Sequence, residues 1–248
     1  MRFDFLSKGL AGLIISASCL VSVAHAGLIH SYNYDGNALD STGSAHGTTN
    51  QVTLTTDRFG NANSAYYFNG TNSSIISTFT NPQTATYSLW ATLTPDTYWG
   101  DMLFSAGTTT GTDLWTACGK LMWNTWDSCG NPFGSNTIPV NLNDGDFHHY
   151  VVVNDQGLNK TSLYIDGALF GEAAYKFKTG NVFAVGNHCA GCTDYNWNGK
   201  IDDVKVFDTA LSQSEVNNLY TPVPEPSTIA IFALGIIGLS ARRFKKNS

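Results

Sequence analysis

The stretch His148-His149-Tyr150-Val151-Val152-Val153-Asn154, then Thr161-Ser162-Leu163-Tyr164-Ile165, Asp166-Gly167 and Ala168-Leu169-Phe170-Gly171-Glu172-Ala173, decides the fold. Three short runs rich in Val, Ile, Thr and aromatic residues are separated by turn residues, the pattern of extended chain. Asp166-Gly167 sits between two of them with no spare residue. A two-residue hairpin of type I′ needs positive φ at both centres, and Asp-Gly supplies it.

The same texture continues in both directions. Further strands are expected at 28–34, 64–68, 74–79, 86–94, 101–105, 120–125, 137–142, 182–186 and 200–206. Only one helix stands out. Ser212-Gln213-Ser214-Glu215 reads as a capping box, with Val216 and Leu219 facing inward. Many short strands, regular turns and one short C-terminal helix predict an all-β protein, a two-sheet antiparallel jelly-roll sandwich.

The two ends differ from this body. Arg2 and Lys8 precede an apolar stretch over 9–23 that closes on Ala24-His25-Ala26, the pattern of a signal peptide cleaved after residue 26. At the other end, Pro222-Val223-Pro224-Glu225-Pro226 leads into an apolar run over 229–241 and then Arg242, Arg243, Lys245 and Lys246. As a helix that run spans about 20 Å, against about 30 Å for a bilayer core. It is a short transmembrane helix with its basic end on the cytoplasmic side. Physics alone leaves a processed tail and a lasting anchor both open. The three divisions are thus 1–26, 27–221 and 222–248.

Between the ends, 195 residues carry seven basic and seventeen acidic side chains, a net charge of −10. Such a surface repels nucleic acid. It is also an awkward partner for acidic polysaccharide unless a cation bridges the two. Cys118, Cys129, Cys189 and Cys192 fall within this body. In an exported chain an even count implies disulfides, with three pairings possible. The local pairs Cys118–Cys129 and Cys189–Cys192 are preferred over a four-cysteine zinc site or a redox Cys-x-x-Cys.

Two resemblances sharpen this reading. Val223-Pro224-Glu225-Pro226-Ser227-Thr228, the apolar run and Arg242-Arg243 resemble the PEP-CTERM sorting tail of Gram-negative bacteria, with Pro224, Glu225 and Pro226 as its motif. The resemblance implies processing by an exosortase in the inner membrane and delivery to the cell surface or the exopolysaccharide matrix. In the body, Tyr34-Asp35-Gly36-Asn37-Ala38-Leu39-Asp40, Ala65-Tyr66-Tyr67-Phe68-Asn69-Gly70, the 146–167 hairpin and Asn198-Gly199-Lys200-Ile201-Asp202-Asp203-Val204 resemble LamG-like jelly rolls of the concanavalin A-like lectin and glucanase superfamily. That implies a calcium ion near the two chain ends of the domain. Asp40 and Asp202 are the first candidates for its ligands, with Asp35 and Asp203 behind them; the alternative is that Asp40 makes an Asx turn and Asp202 caps a strand edge.

Catalytic machinery is not expected. Glycoside hydrolases need two carboxyls across the scissile bond. The body has only Glu172 and Glu215, the latter in the cap, and neighbours such as Asp202 and Asp203 point to opposite faces of a regular strand. Alginate lyase strands with Arg-Glu and Gln-x-His are absent from the sequence. Sugar-binding modules stack exposed aromatics on sugar rings. Trp99, Trp123, Trp126 and Trp197, in turn-rich surroundings, are the expected contacts, whereas Trp90, in an alternating strand, is expected in the core. The chain is therefore read as a non-catalytic protein that binds carbohydrate or matrix. A scaffold that binds other proteins is the alternative, and a polysaccharide-degrading enzyme comes third.

Overall fold

The computed structural model describes residues 27–93, 99–107, 111–124, 130–134, 137–189 and 191–220. The leader, the tail with Pro224, Glu225 and Pro226, and the loops that hold Trp126 and Cys129 lie outside these residues.

The central hairpins form as the sequence predicts. β10 (Phe147–Asp155), β11 (Lys160–Ile165) and β12 (Ala168–Ala174) pair antiparallel. Asp166 has φ of 51° and Gly167 of 78°, the two left-handed residues of the turn. The Asp166 carboxylate accepts the His149 N–H at 2.9 Å and lies 2.7 Å from His148 Nδ1, so the turn is tied back onto β10.

Eight strands form one sheet. Its path is β12, β11, β10, β6 (Ala85–Thr92), β14 (Asn198–Phe207), β4 (Ala65–Asn69) and β3 (Thr53–Thr55), and β1 (Leu28–Tyr32) also pairs with β14. The second sheet runs β2 (Thr48–Asn50), β5 (Ser74–Thr78), β13 (Val182–Val185), β7 (Trp99–Gly107), β8 (Thr112–Ala117) and β9 (Lys120–Asn124). Every pairing within these two sheets is antiparallel.

The inner faces meet in an aromatic core that includes Tyr87, Phe104, Trp123, Phe183 and Trp197. Alternation along β10 puts Val152 into this core and Val151 and Val153 on the opposite face. There α1 (Gln213–Tyr220) covers them with Val216 and Leu219. Its cap is the predicted one: Glu215 accepts the Ser212 N–H and hydroxyl, both at 2.7 Å.

Four elements depart from expectation. The expected strand over 137–142 ends instead in a 3₁₀ turn, Val140–Asn143, entered through Pro139 at φ −64°; proline has no N–H to give a ladder. β2, β3 and β8 were not anticipated. The first two are three-residue edges of Thr and Asn with one leucine. β8 is buried on both faces, so it shows no alternation.

Among the described residues no helix is long and apolar enough to cross a membrane. The apolar run 229–241 is not among them.

Candidate functional site

One edge of β14 is shared by two strands. Residues 198–201 pair with β4 and residues 204–207 with β1. Between them the register with β6 also shifts, from Asp202↔Trp90 to Lys205↔Ser88. Asp203 sits in this bulge with φ of 47°. A bulge re-aims side chains, and here it cancels the alternation expected for Asp202 and Asp203. Both carboxylates turn toward Arg58, whose Nη1 is 3.0 Å from Asp202 Oδ2 and whose Nη2 is 2.6 Å from Asp203 Oδ2.

The fork opens into a pocket of 220 Å³. Asn33 and Asp35 line it from the segment leaving β1. The turn between β3 and β4 contributes Asp57, Arg58, Phe59 and Asn61, and Ser64 stands at the start of β4. Asp57 is the staple of that turn, accepting the N–H groups of Phe59 and Asn61 at 2.8 Å each. Arg58 is layered between rings, 4.4 Å from the centroid of Phe59 and 4.5 Å from that of Trp90. Trp90 stacks in turn on His149 at 4.8 Å and on Tyr220 at 5.7 Å. Trp90 is therefore half-buried on the outer face of the sheet, not in the core as expected. Phe59, 68% exposed, ends the stack at the pocket mouth.

The site is acidic. Burial and the neighbouring Asp203 push Asp202 up to about 7, against the pull of Arg58. His149 is driven the other way, to about 3, by burial and by the charges of Lys205 and Arg58. Its Nε2 lies 2.8 Å from the Ser88 hydroxyl, so it is a neutral framework group.

The other predicted site residues fall elsewhere. Trp123 and Trp197 are 0% and 1% exposed. Both belong to the core: β9 carries Trp123 inward, and Trp197, just before β14, donates its N–H to the Gly186 carbonyl at 2.9 Å. Neither meets a ligand from solvent, which corrects the expectation for both. Trp99 lies at the start of β7, and Trp126 is outside the described residues. Cys189 and Cys192 are bonded to each other. Cys118 is also in a disulfide. Among the described residues the one group with three metal-ligand atoms close together is His188, Cys189 and Cys192, and its two sulfurs are joined.

Asp40 does not share the pocket with Asp202. It is buried, and the chain's own groups occupy its oxygens: the N–H groups of Ser31 and Thr42 at 3.1 Å, the Thr42 hydroxyl at 2.9 Å, His30 Nδ1 at 2.7 Å and the Ala45 N–H at 3.3 Å. Burial alone would raise its pKa, but these hydrogen bonds hold the carboxyl well below the usual range. Asp35, Asp202 and Asp203 do line one pocket, but with a guanidinium between the last two. Calcium needs six to eight oxygens with free lone pairs. This donor set does not fit it.

Sequence reasoning missed Arg58 and Phe59. A usable signal existed: Arg58 is the only arginine between residues 27 and 221.

The chain matches the model of the concanavalin A-like lectin/glucanases superfamily over residues 72–217. It matches the PEP-CTERM protein-sorting motif over 222–246, which marks an exported chain sorted to the cell surface. It is 28% identical over 120 residues to botulinum neurotoxin type F of Clostridium botulinum, a match covering 46% of this chain and 9% of that protein. Among solved structures it resembles domain 4 of AbnA, a GH43 extracellular arabinanase from Geobacillus stearothermophilus, in complex with arabinotriose. There the TM-score is 0.62 at 21% identity, over 79% of this chain and 99% of that one. The binding domain of Paraclostridial Mosquitocidal Protein 1 gives 0.60 at 17% identity, over 78% of this chain and 52% of that one. For the binding domain of botulinum neurotoxin serotype D the values are 0.54 and 16%, over 78% and 51%. At these identities the structural likeness is one of fold. With its strand order, its inner aromatic core and the match over 72–217, this chain belongs to the concanavalin A-like lectin/glucanases superfamily.

Proposed function

We propose that residues 27–221 form an exported, non-catalytic module that binds carbohydrate or another component of the extracellular matrix. Residues 1–26 are its signal peptide and 222–248 its sorting tail. The observation that carries this reading is the pocket at the β14 fork. It combines acceptor oxygens of Asp35 and Asn33 with an exposed Phe59 ring at the mouth. Sugar sites use this combination, oxygens for the hydroxyls and an aromatic face for the ring. At 220 Å³ the pocket is below the range of about 300–1,000 Å³ of drug-sized sites, so it suits one sugar unit of a chain. The likeness to an arabinanase domain in complex with arabinotriose supports the same class of ligand.

A binding role also agrees with where the carboxyls are. Glu172 is 2.6 Å from Lys160, Glu215 caps α1, and Asp202 and Asp203 are joined through Arg58. The tail supports passage through the inner membrane of a Gram-negative bacterium, processing by an exosortase-type enzyme and residence at the surface or in the exopolysaccharide matrix. A second reading, adhesion to a protein or receptor, is favoured by the likeness to toxin binding domains.

Glycan arrays probed with wild type and Phe59→Ala test the proposal. The expected result is binding to a set of neutral oligosaccharides that Phe59→Ala weakens roughly five- to tenfold, about one stacking contact. Unchanged binding in Phe59→Ala refutes the pocket. New reducing ends or unsaturated sugars released from any polysaccharide overturn the non-catalytic role. Binding to host or matrix proteins with no glycan retained favours the second reading.

A further inference from the structure

We propose that the Arg58 guanidinium is the resident cation of this domain: it ties Asp202 to Asp203 where the sequence pattern points to calcium, so the fold and its pocket work without a metal.

Four independent observations converge on this. First, the two carboxylates that would anchor an ion from β14 are both engaged by one guanidinium, Nη1 to Asp202 and Nη2 to Asp203. Arginine presents its donors in a rigid fork and stays charged under all ordinary conditions. Second, the guanidinium is held in place. Rings of Phe59 and Trp90 flank it, and its side chain is 14% exposed. A solvated surface arginine has no such seat. Third, the leading carboxylate expected to complete a calcium shell, Asp40, gives its oxygens to His30, Ser31, Thr42 and Ala45. Fourth, among the described residues no group of three carboxylates brings its oxygens as close as metal ligation requires.

The link does what a bound ion does for a fold. Arg58 and Asp202 are 144 residues apart, so the contact ties the turn between β3 and β4 to the closing strand. It also lies at the point where β14 passes from β4 to β1 and the ladder is interrupted. One difference from calcium follows. A guanidinium supplies one positive charge where the ion supplies two, and one donor from each of its Nη atoms goes to an aspartate. The pocket therefore stays acidic and offers a ligand acceptors, not a metal.

The test uses the full-length chain in mild detergent. Wild type should melt at the same temperature in EDTA and in millimolar calcium. Arg58→Ala leaves two carboxylates facing each other and should melt roughly 6–20 °C lower in EDTA. It should also gain what the wild type lacks: calcium restores about half of the loss, and terbium bound at the fork emits when Trp90 is excited. If Arg58→Ala folds only when calcium is added, the result is the same. Arg58→Gln keeps most of the side-chain bulk and should behave likewise. A wild type stabilised by calcium overturns the proposal. So do variants that lose stability but respond to no cation, since Arg58 would then be an ordinary ion pair.

Discussion

Replacing Trp123 with alanine removes one of the largest side chains of the core. The indole is 0% exposed, with ring centroids 6.0 Å from Phe104, 6.2 Å from Tyr87 and 6.5 Å from Phe133. Both sheets contribute to this packing, so neither can move in alone to fill the space. An aromatic-to-alanine change in such a site destabilises by about 3–5 kcal/mol. For a body of this size each kcal/mol lowers the melting temperature by about 2–4 °C, which gives a fall of roughly 6–20 °C. Trp123→Phe should lose far less. The indole N–H has no hydrogen-bond partner among the described residues, so phenylalanine removes an unsatisfied donor while giving up part of the ring. Calorimetric melting, run beside a glycan-binding assay on the folded fraction, measures both effects. The reasoning predicts a large loss of stability for Trp123→Ala with binding per folded molecule unchanged. A wild-type melting temperature combined with lost binding would refute it, because that is the behaviour of an exposed ligand contact.

Three further outcomes follow from the same structure. Gly186 has φ of 77°, and a Cβ there would overlap the buried Phe68 ring, so Gly186→Ala should lose about 2–4 kcal/mol in a denaturant titration. Asp202 has a folded pKa of about 7, above that of an unfolded carboxyl; its stabilising share is complete below about pH 4 and is lost as pH rises through 7. Stability, followed by melting temperature, should therefore fall between about pH 4 and pH 7, by at most about 1.4 kcal/mol per pH unit, and level off above that; Asp202→Asn should flatten the slope. Ser212→Ala should cost about 1 kcal/mol through the lost cap, and a double-mutant cycle with Glu215→Ala should show the two to be coupled.

The central hairpins and the cap were legible because their signals are local. Asp166-Gly167 fixes two backbone angles wherever it occurs, and Ser212 and Glu215 need only each other. β8 was not legible. Its neighbours Leu114 and Trp115 are both buried, on opposite faces, and the alternation that marks a half-exposed strand is missing. The site was harder still. Asp40 and Asp202, with Asp35 and Asp203 behind them, are what the sequence singles out as ion ligands; Asp35, Asp202 and Asp203 line one pocket, and Asp40 lies outside it. Their partner was invisible because Arg58 meets Asp202 across 144 residues. Regular alternation also forbade Asp202 and Asp203 from acting together, and only the bulge at a non-glycine left-handed residue lifts that rule. For the tryptophans, residue type names a large ring with a polar tip and says nothing about which face of a strand it takes. Trp90 and Trp123 each took the face opposite to the one expected.

The account stands on ligand recognition at the β14 fork. Hydroxyl-radical footprinting of the protein with and without a glycan selected on the array tests this directly, because Phe59 is 68% exposed in the free protein and reacts readily. The predicted result is protection of Phe59, with Leu158 and Leu169, exposed at 69% and 51% away from the pocket, unchanged. Full reactivity of Phe59 at saturating glycan, with protection appearing elsewhere, would contradict it.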